Sequence, residues 1–183
     1  MGGVEVVAKM ETGWYDNYME NTDTTKVENK SLTAGMVHII LSHSYTVFLM
    51  SVVFGLILDV IFPINIFNDS LYQYAGIALI FLGSFIIYWA QSTSGRTKKD
   101  EEKGAPRNFE CGPYKYSRNP THIGLSIMTI GLAFLLNSVF SLVLTVIASV
   151  ITKNIFLKKE EELLEKKYGQ EYLDYKKKVS TWL

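Results

Sequence analysis

The chain has 183 residues, a length suited to one domain, and its 18 Lys and Arg balance 18 Asp and Glu, so no bulk positive charge points to a nucleic-acid partner. Cys111 is the single cysteine, which excludes an intramolecular disulfide. The 48% hydrophobic content hides a segregation: every Lys and Arg falls within Lys9 to Lys30, Arg96 to Arg118 or Lys153 to Lys178, and the two stretches between contain none. Basic loops stay on the cytosolic side of a bilayer, so this pattern predicts two out-and-back membrane hairpins.

Residues 1–33 are polar and rich in Asn, Thr and Glu, and predict a surface arm without chemistry. The first residues carry neither a myristoylation pattern nor an apolar leader core, so no cleaved targeting peptide is expected. Residues 34–183 are read as one membrane domain. About 20 apolar residues cross ~30 Å of hydrocarbon, which places a first span at 45–62. His38 and His43 are five apart, off a common helical face, with no acidic or thiol ligand nearby, so no metal site is expected. Asp59, close to Pro63, is expected to reach the outer interface.

A turn at Pro63 to Ser70 leads to a second span at 71–91, followed by a connecting loop at 92–120. Thr121 to Thr152 carries no formal charge and would make a helix of ~48 Å, longer than one crossing needs. Basic blocks flank both of its ends. Two short spans, 121–136 and 138–152, broken near Asn137-Ser138, keep those blocks on one side. The expected fold is an all-α polytopic membrane protein of about four transmembrane helices, with both termini cytosolic. A C-terminal amphipathic helix at 155–180 completes it, with Leu164, Tyr168, Tyr172, Tyr175 and Val179 as its apolar stripe, Gly169 as a cap, and Lys176 to Lys178 suited to anionic lipid headgroups.

Chemistry concentrates in two segments. Pro106, Pro113 and Pro120 stiffen the connector, and Pro120 in the first turn of the third span leaves helix N–H groups facing the cytosol for an anionic ligand group. In the tail, Glu162 faces Lys166, whereas Glu160 shares the face of Leu164 and Tyr168 and points inward. An inward carboxylate wants a partner, either Arg118 or a positively charged ligand.

The order Gly112, Tyr114, Arg118, Asn119, Pro120, Gly124, an apolar hairpin, then Glu160, Glu161, Leu164, Tyr168, Gly169, Tyr172 and Tyr175 resembles the isoprenylcysteine carboxyl methyltransferase family and its phospholipid-methyltransferase relatives, over about residues 70–180. The resemblance implies S-adenosyl-L-methionine in a cytosol-facing pocket and a lipid-like or small-molecule acceptor delivered from the bilayer, with membrane lipids as partners and neither metal nor nucleic acid. Carried over, the cofactor contacts are Pro106, Arg107, Asn108, Phe109, Tyr114, Asn119, Pro120, Thr121, His122 and Glu160, while Arg118 and Glu161 orient the reactants as catalytic residues. His122 replaces the motif tyrosine, and Phe156 stands where the family carries an arginine that holds the acceptor. A carboxylate acceptor then needs Lys153, Lys158 or Lys159 as a clamp, so an amine, thiol or hydroxyl acceptor stays equally open. Two other readings stand beside this one: an NADPH-dependent membrane reductase of sterol-reductase type, and a non-catalytic membrane-embedded binding protein.

Overall fold

The computed structural model describes residues 42–64 and 71–182, with Ile39 besides. The chain divides into the units Met1–Ile39 and Ile40–Leu183, and every element named below lies in the second. The expected arm at 1–33, His38 and most of the turn before Leu71 fall outside the described residues.

Among the described residues six α-helices follow one another: α1 (Ser42–Ile61), α2 (Leu71–Glu102), α3 (Pro120–Leu135), α4 (Val139–Ile151), α5 (Leu157–Tyr168) and α6 (Gln170–Lys178). A 3-10 turn at Gly112–Lys115 interrupts the connector, and a π-helical segment at Thr152–Phe156 joins α4 to α5. No strand occurs among the described residues. Among the described residues three helices are long and apolar enough to cross a membrane: α1, α2 and the continuous rod Val139–Tyr168. The 16 residues of α3 form a shorter apolar helix, ~24 Å long.

Burial is inverted relative to a water-soluble bundle. Large apolar side chains such as Phe54, Val60, Phe81, Phe85 and Val146 are exposed, while Ser44, Ser51, Ser126, Ser141 and Thr145 are buried. In water such an apolar exterior would be a liability; against hydrocarbon tails it costs nothing, and small residues then bring helices together by close contact. A side chain on Gly76 would place its Cβ 2.6 Å from the Gly131 carbonyl oxygen, and one on Gly83 would lie 2.5 Å from that of Gly124. Both pairs repeat every seven residues, so α2 and α3 run antiparallel with their backbones almost touching. Hydroxyls bridge the remaining seams: Ser51 meets Thr145 at 3.5 Å, Ser126 meets Ser149 at 3.2 Å, and Ser141 donates to the Val52 carbonyl at 3.3 Å.

The turn between α3 and α4 has a local cause. Asn137 takes a left-handed φ of 51°, which Asn tolerates, and Ser138 caps α4 by accepting a hydrogen bond from the Ser141 N–H at 3.0 Å.

Two expected boundaries need correction. Residues 92–102, assigned to the connecting loop, continue α2, because only Gly95 interrupts a run of adequate helix formers; the helix stops where Gly104 adopts a φ of 89° ahead of Pro106. The tail helix expected at 155–180 is two helices, α5 and α6, split at Gly169, and α5 runs on from α4 through the π-helical segment. Asp59, two residues before the end of α1, has both carboxylate oxygens covered, with no hydrogen-bond partner among the described residues.

The tail stripe packs on the connector. Tyr172, Tyr175 and Val179 form a buried cluster with Leu164, Tyr168 and Phe109. The Phe109 ring lies 5.0 Å from that of Tyr168, 5.5 Å from Tyr172 and 5.4 Å from Tyr175. Gly169, with φ 57° and ψ −128°, turns α6 away from α5 so that both helices contribute to this cluster.

Candidate functional site

The connector enters the site through Gly112, whose φ of 54° suits glycine and whose missing side chain makes room for Thr93; a Cβ would lie 2.6 Å from the Thr93 hydroxyl. The following 3-10 turn sends Tyr114 between α2 and α3, where its hydroxyl is within hydrogen-bonding reach of Ser94 and Thr121. Burial pushes this phenol above its ordinary pKa, and the nearby Glu160 charge acts in the same direction.

Asn119 occupies the N-cap position of α3 but its side chain makes no capping bond. Its Nδ2 is buried without a hydrogen-bond partner among the described residues, and the same holds for Nε2 of His122, which is 2% exposed. Pro120 opens the helix between them.

On α5 the two adjacent glutamates diverge, as a ~100° step per residue requires. Glu160 is half-buried, and its Oε2 is covered and has no hydrogen-bond partner among the described residues. Burial first, and then the charge of Glu161, raises its pKa to about 7. Glu161 instead forms ion pairs with Arg118 at 3.0 Å and Lys176 at 3.2 Å and accepts a hydrogen bond from the Thr181 hydroxyl at 3.2 Å. Arg118 is thus the partner of Glu161 and not of Glu160, and its second terminal nitrogen donates to Thr181. These residues line a cleft of about 460 Å³ that also takes in Lys153 and Lys158.

The end of α6 and the residues after it are laced to the connector. Arg118 N–H donates to the Ser180 carbonyl at 3.0 Å, the Ser117 hydroxyl to the Thr181 carbonyl at 2.9 Å, and the Tyr175 hydroxyl to the Tyr114 carbonyl at 2.8 Å. Arg107 is also engaged: it pairs with Glu101 at 3.1 Å, donates to the Tyr168 hydroxyl at 2.8 Å, and lies over the Phe109 and Tyr168 rings. Desolvation raises the Tyr168 phenol to about 12 and pushes those of Tyr172 and Tyr175 up as well, so all three stay protonated donors.

The expected residues therefore separate by location. Tyr114, Thr121 and Glu160 come together, with Asn119, Pro120 and His122 at the adjoining helix start. Arg118 and Glu161 form a clasp on the other face of α5. Arg107 and Phe109 are built into the packing of the tail, while Pro106 and Asn108 line a separate cleft of about 320 Å³ beside Cys111. Sequence reasoning missed Ser94, Gln91 and Tyr45. Gln91 donates to the Tyr45 hydroxyl at 3.5 Å, and Tyr45 lies in the field of Glu160. The readable signal was the polar pair Gln91 and Ser94, three apart on one helix face where the apolar run of α2 ends.

Neither a curated protein nor a solved structure matches the chain. The family described as phospholipid methyltransferase matches residues 71–171, from the first residue of α2 into α6. That segment is more than half of the 183 residues and encloses Tyr114, the start of α3 and both glutamates. The chain belongs to the phospholipid methyltransferase family, a family of membrane methyltransferases.

Proposed function

We propose that the protein transfers a methyl group from S-adenosyl-L-methionine to a lipophilic acceptor delivered through the bilayer. Residues 71–91 of α2, together with α1, α3 and α4, serve as four spans, and the connector, α5 and α6 then share the cytosolic face with both termini. The observation that carries the reading is Glu160 Oε2, a covered carboxylate oxygen without a hydrogen-bond partner among the described residues. Such a group calls for a cationic ligand.

The residues present fit that cofactor. Glu160 matches its ammonium or sulfonium charge, the Tyr114 ring offers a π face to a cation, and Asn119 Nδ2 is a spare donor for its carboxylate or base. His122 Nε2 offers a further polar contact from the first turn of α3. Bound S-adenosyl-L-methionine supplies an electrophilic methyl group, so the work left to the protein is alignment and exclusion of water. Arg118 and Glu161 contribute by tying the connector to α5 and the tail, which fixes Tyr114 and Glu160 relative to each other.

Calorimetry on detergent-purified protein tests the reading. Saturable S-adenosyl-L-methionine binding, weakened at least tenfold in Glu160→Ala and Tyr114→Ala, is the expected result. Binding of NADPH in its place would make the chain a reductase, and binding of neither would leave a non-catalytic protein.

A further inference from the structure

The cleft of about 460 Å³ on the Glu161 side of α5 stands apart from the cofactor residues, since neither Tyr114 nor Glu160 lines it. Its inner wall is neutral. Arg118 and Lys176 hold Glu161 there, and Lys176 also pairs with Glu165, so two cations face two carboxylates. The lip is basic: Lys153 and Lys158 are exposed, Asn154 stands beside them, and neither lysine forms an ion pair among the described residues. Lys153 lies 5.8 Å from the centre of the Trp182 ring, a contact that leaves its charge without an anion. Glu162, the remaining carboxylate of the cleft, is one helical turn from Lys166 as well as from Lys158.

The place of this lip along the rod decides what it meets. Val139 to Thr152 contains no Asp, Glu, Lys or Arg, and Lys153 is the first cation beyond that run. Val143, Ile147 and Val150 are each about half exposed on α4, and their series continues at spacings of four into Asn154 and Lys158. An apolar strip that ends at two uncompensated lysines matches a molecule with an apolar chain and an anionic head. Lysines at such a boundary lay their stems on apolar surface and reach phosphates with their heads. A soluble anion would use the lip and leave the strip uncovered. A lipid of zero net charge would cover the strip and gain little from the lysines.

We propose that this cleft and the α4 face leading to it bind an anionic phospholipid that is not the methyl acceptor. Lys153, Asn154 and Lys158 hold its phosphate, and one acyl chain lies along Val150, Ile147 and Val143. The inference rests on the membrane reading of the rod and is independent of methyl transfer.

The test uses the full chain in detergent, without S-adenosyl-L-methionine, and measures equilibrium binding of dioleoyl phosphatidic acid, which has no amine to methylate, against dioleoyl phosphatidylcholine and inorganic phosphate. A lysine beside an anionic lipid surface contributes about fivefold. Wild type is therefore expected to bind phosphatidic acid at least tenfold more tightly than phosphatidylcholine, and to melt higher in its presence. Replacing both lysines, Lys153→Gln with Lys158→Gln, should abolish that preference, while Lys153→Arg with Lys158→Arg should keep it. Lys177→Gln should keep it too, because Lys177 pairs with Asp174 and does not line the cleft. Equal binding of the two lipids by wild type, or a preference that survives in the Gln pair, overturns the proposal. An equal loss in Lys177→Gln also overturns it, by showing a diffuse charge effect, and inorganic phosphate binding as tightly as phosphatidic acid would make the lip a soluble-anion site instead. If lipid-free melting shows that the Gln pair is unfolded, Lys158→Gln alone decides: a loss of about fivefold supports the site and no loss refutes it. Failure of wild type to bind S-adenosyl-L-methionine, measured separately, bears on the proposed function alone.

Discussion

Replacing Glu160 by Gln should make the ligand-free protein more stable at neutral pH while weakening its site. The carboxyl has an ordinary pKa of 4.5 when unfolded and about 7 when folded, because burial and Glu161 both oppose its charge. Below pH 4.5 it is protonated in both states and its burial carries no charge penalty. As pH rises, the unfolded chain ionises first and gains, so stability falls from pH 4.5 until the folded group ionises near pH 7. At roughly 1.4 kcal/mol per pH unit, the complete loss is about 3 kcal/mol. For a chain of this size that is a fall of about 6–12 °C in melting temperature. Gln mimics the protonated acid, so Glu160→Gln should match wild type at pH 4 and melt higher by that amount at pH 8. Melting curves in detergent from pH 4 to pH 8 give the answer. Parallel pH profiles for the two proteins would refute the claim that this carboxylate is buried without compensation.

Two further contrasts test the packing. Glu161→Ala leaves the Arg118 guanidinium, 8% exposed, without its anion and should cost about 3 kcal/mol, whereas Lys176→Ala removes a 38% exposed partner and should cost under ~1 kcal/mol; equal losses in the same melts would contradict the clasp. Gly83→Ala forces α2 off Gly124 and Met128 and should destabilise by about 1–3 kcal/mol, while Gly95→Ala meets nothing within 4 Å and should stabilise by up to ~1 kcal/mol. If both glycine variants melt alike, the backbone contact between α2 and α3 is wrong.

What the sequence made legible was whatever depends on composition over a whole turn or more. The apolar runs and the empty stretches between basic blocks located the helices, Asn137-Ser138 marked a helix stop and a new cap, and the tyrosine stripe declared a face that Phe109 then covers. The paired segments around Tyr114 and Glu160 pointed to the family that residues 71–171 match. What stayed hidden depends on rotation and contact. Periodicity placed Glu160 inward but could not say that Arg118 would choose Glu161, because the choice turns on a single step around α5. The extension of α2 to Glu102 was missed because a charged run with one glycine resembles a loop until something packs on it. Tyr45 carried no motif at all, and only the crossing of α1 over α2 brings it to Gln91.

The π-helical segment at Thr152–Phe156 has an evolutionary implication. Such a bulge amounts to one surplus residue in an otherwise regular helix. Deleting one residue between 152 and 156 would restore α geometry locally while the helix beyond keeps its register, so Glu160 and Glu161 would hold their stations and Arg118 its contact. The widened turn thus makes this stretch tolerant of a one-codon deletion that would rotate every later side chain of a regular helix by about 100°.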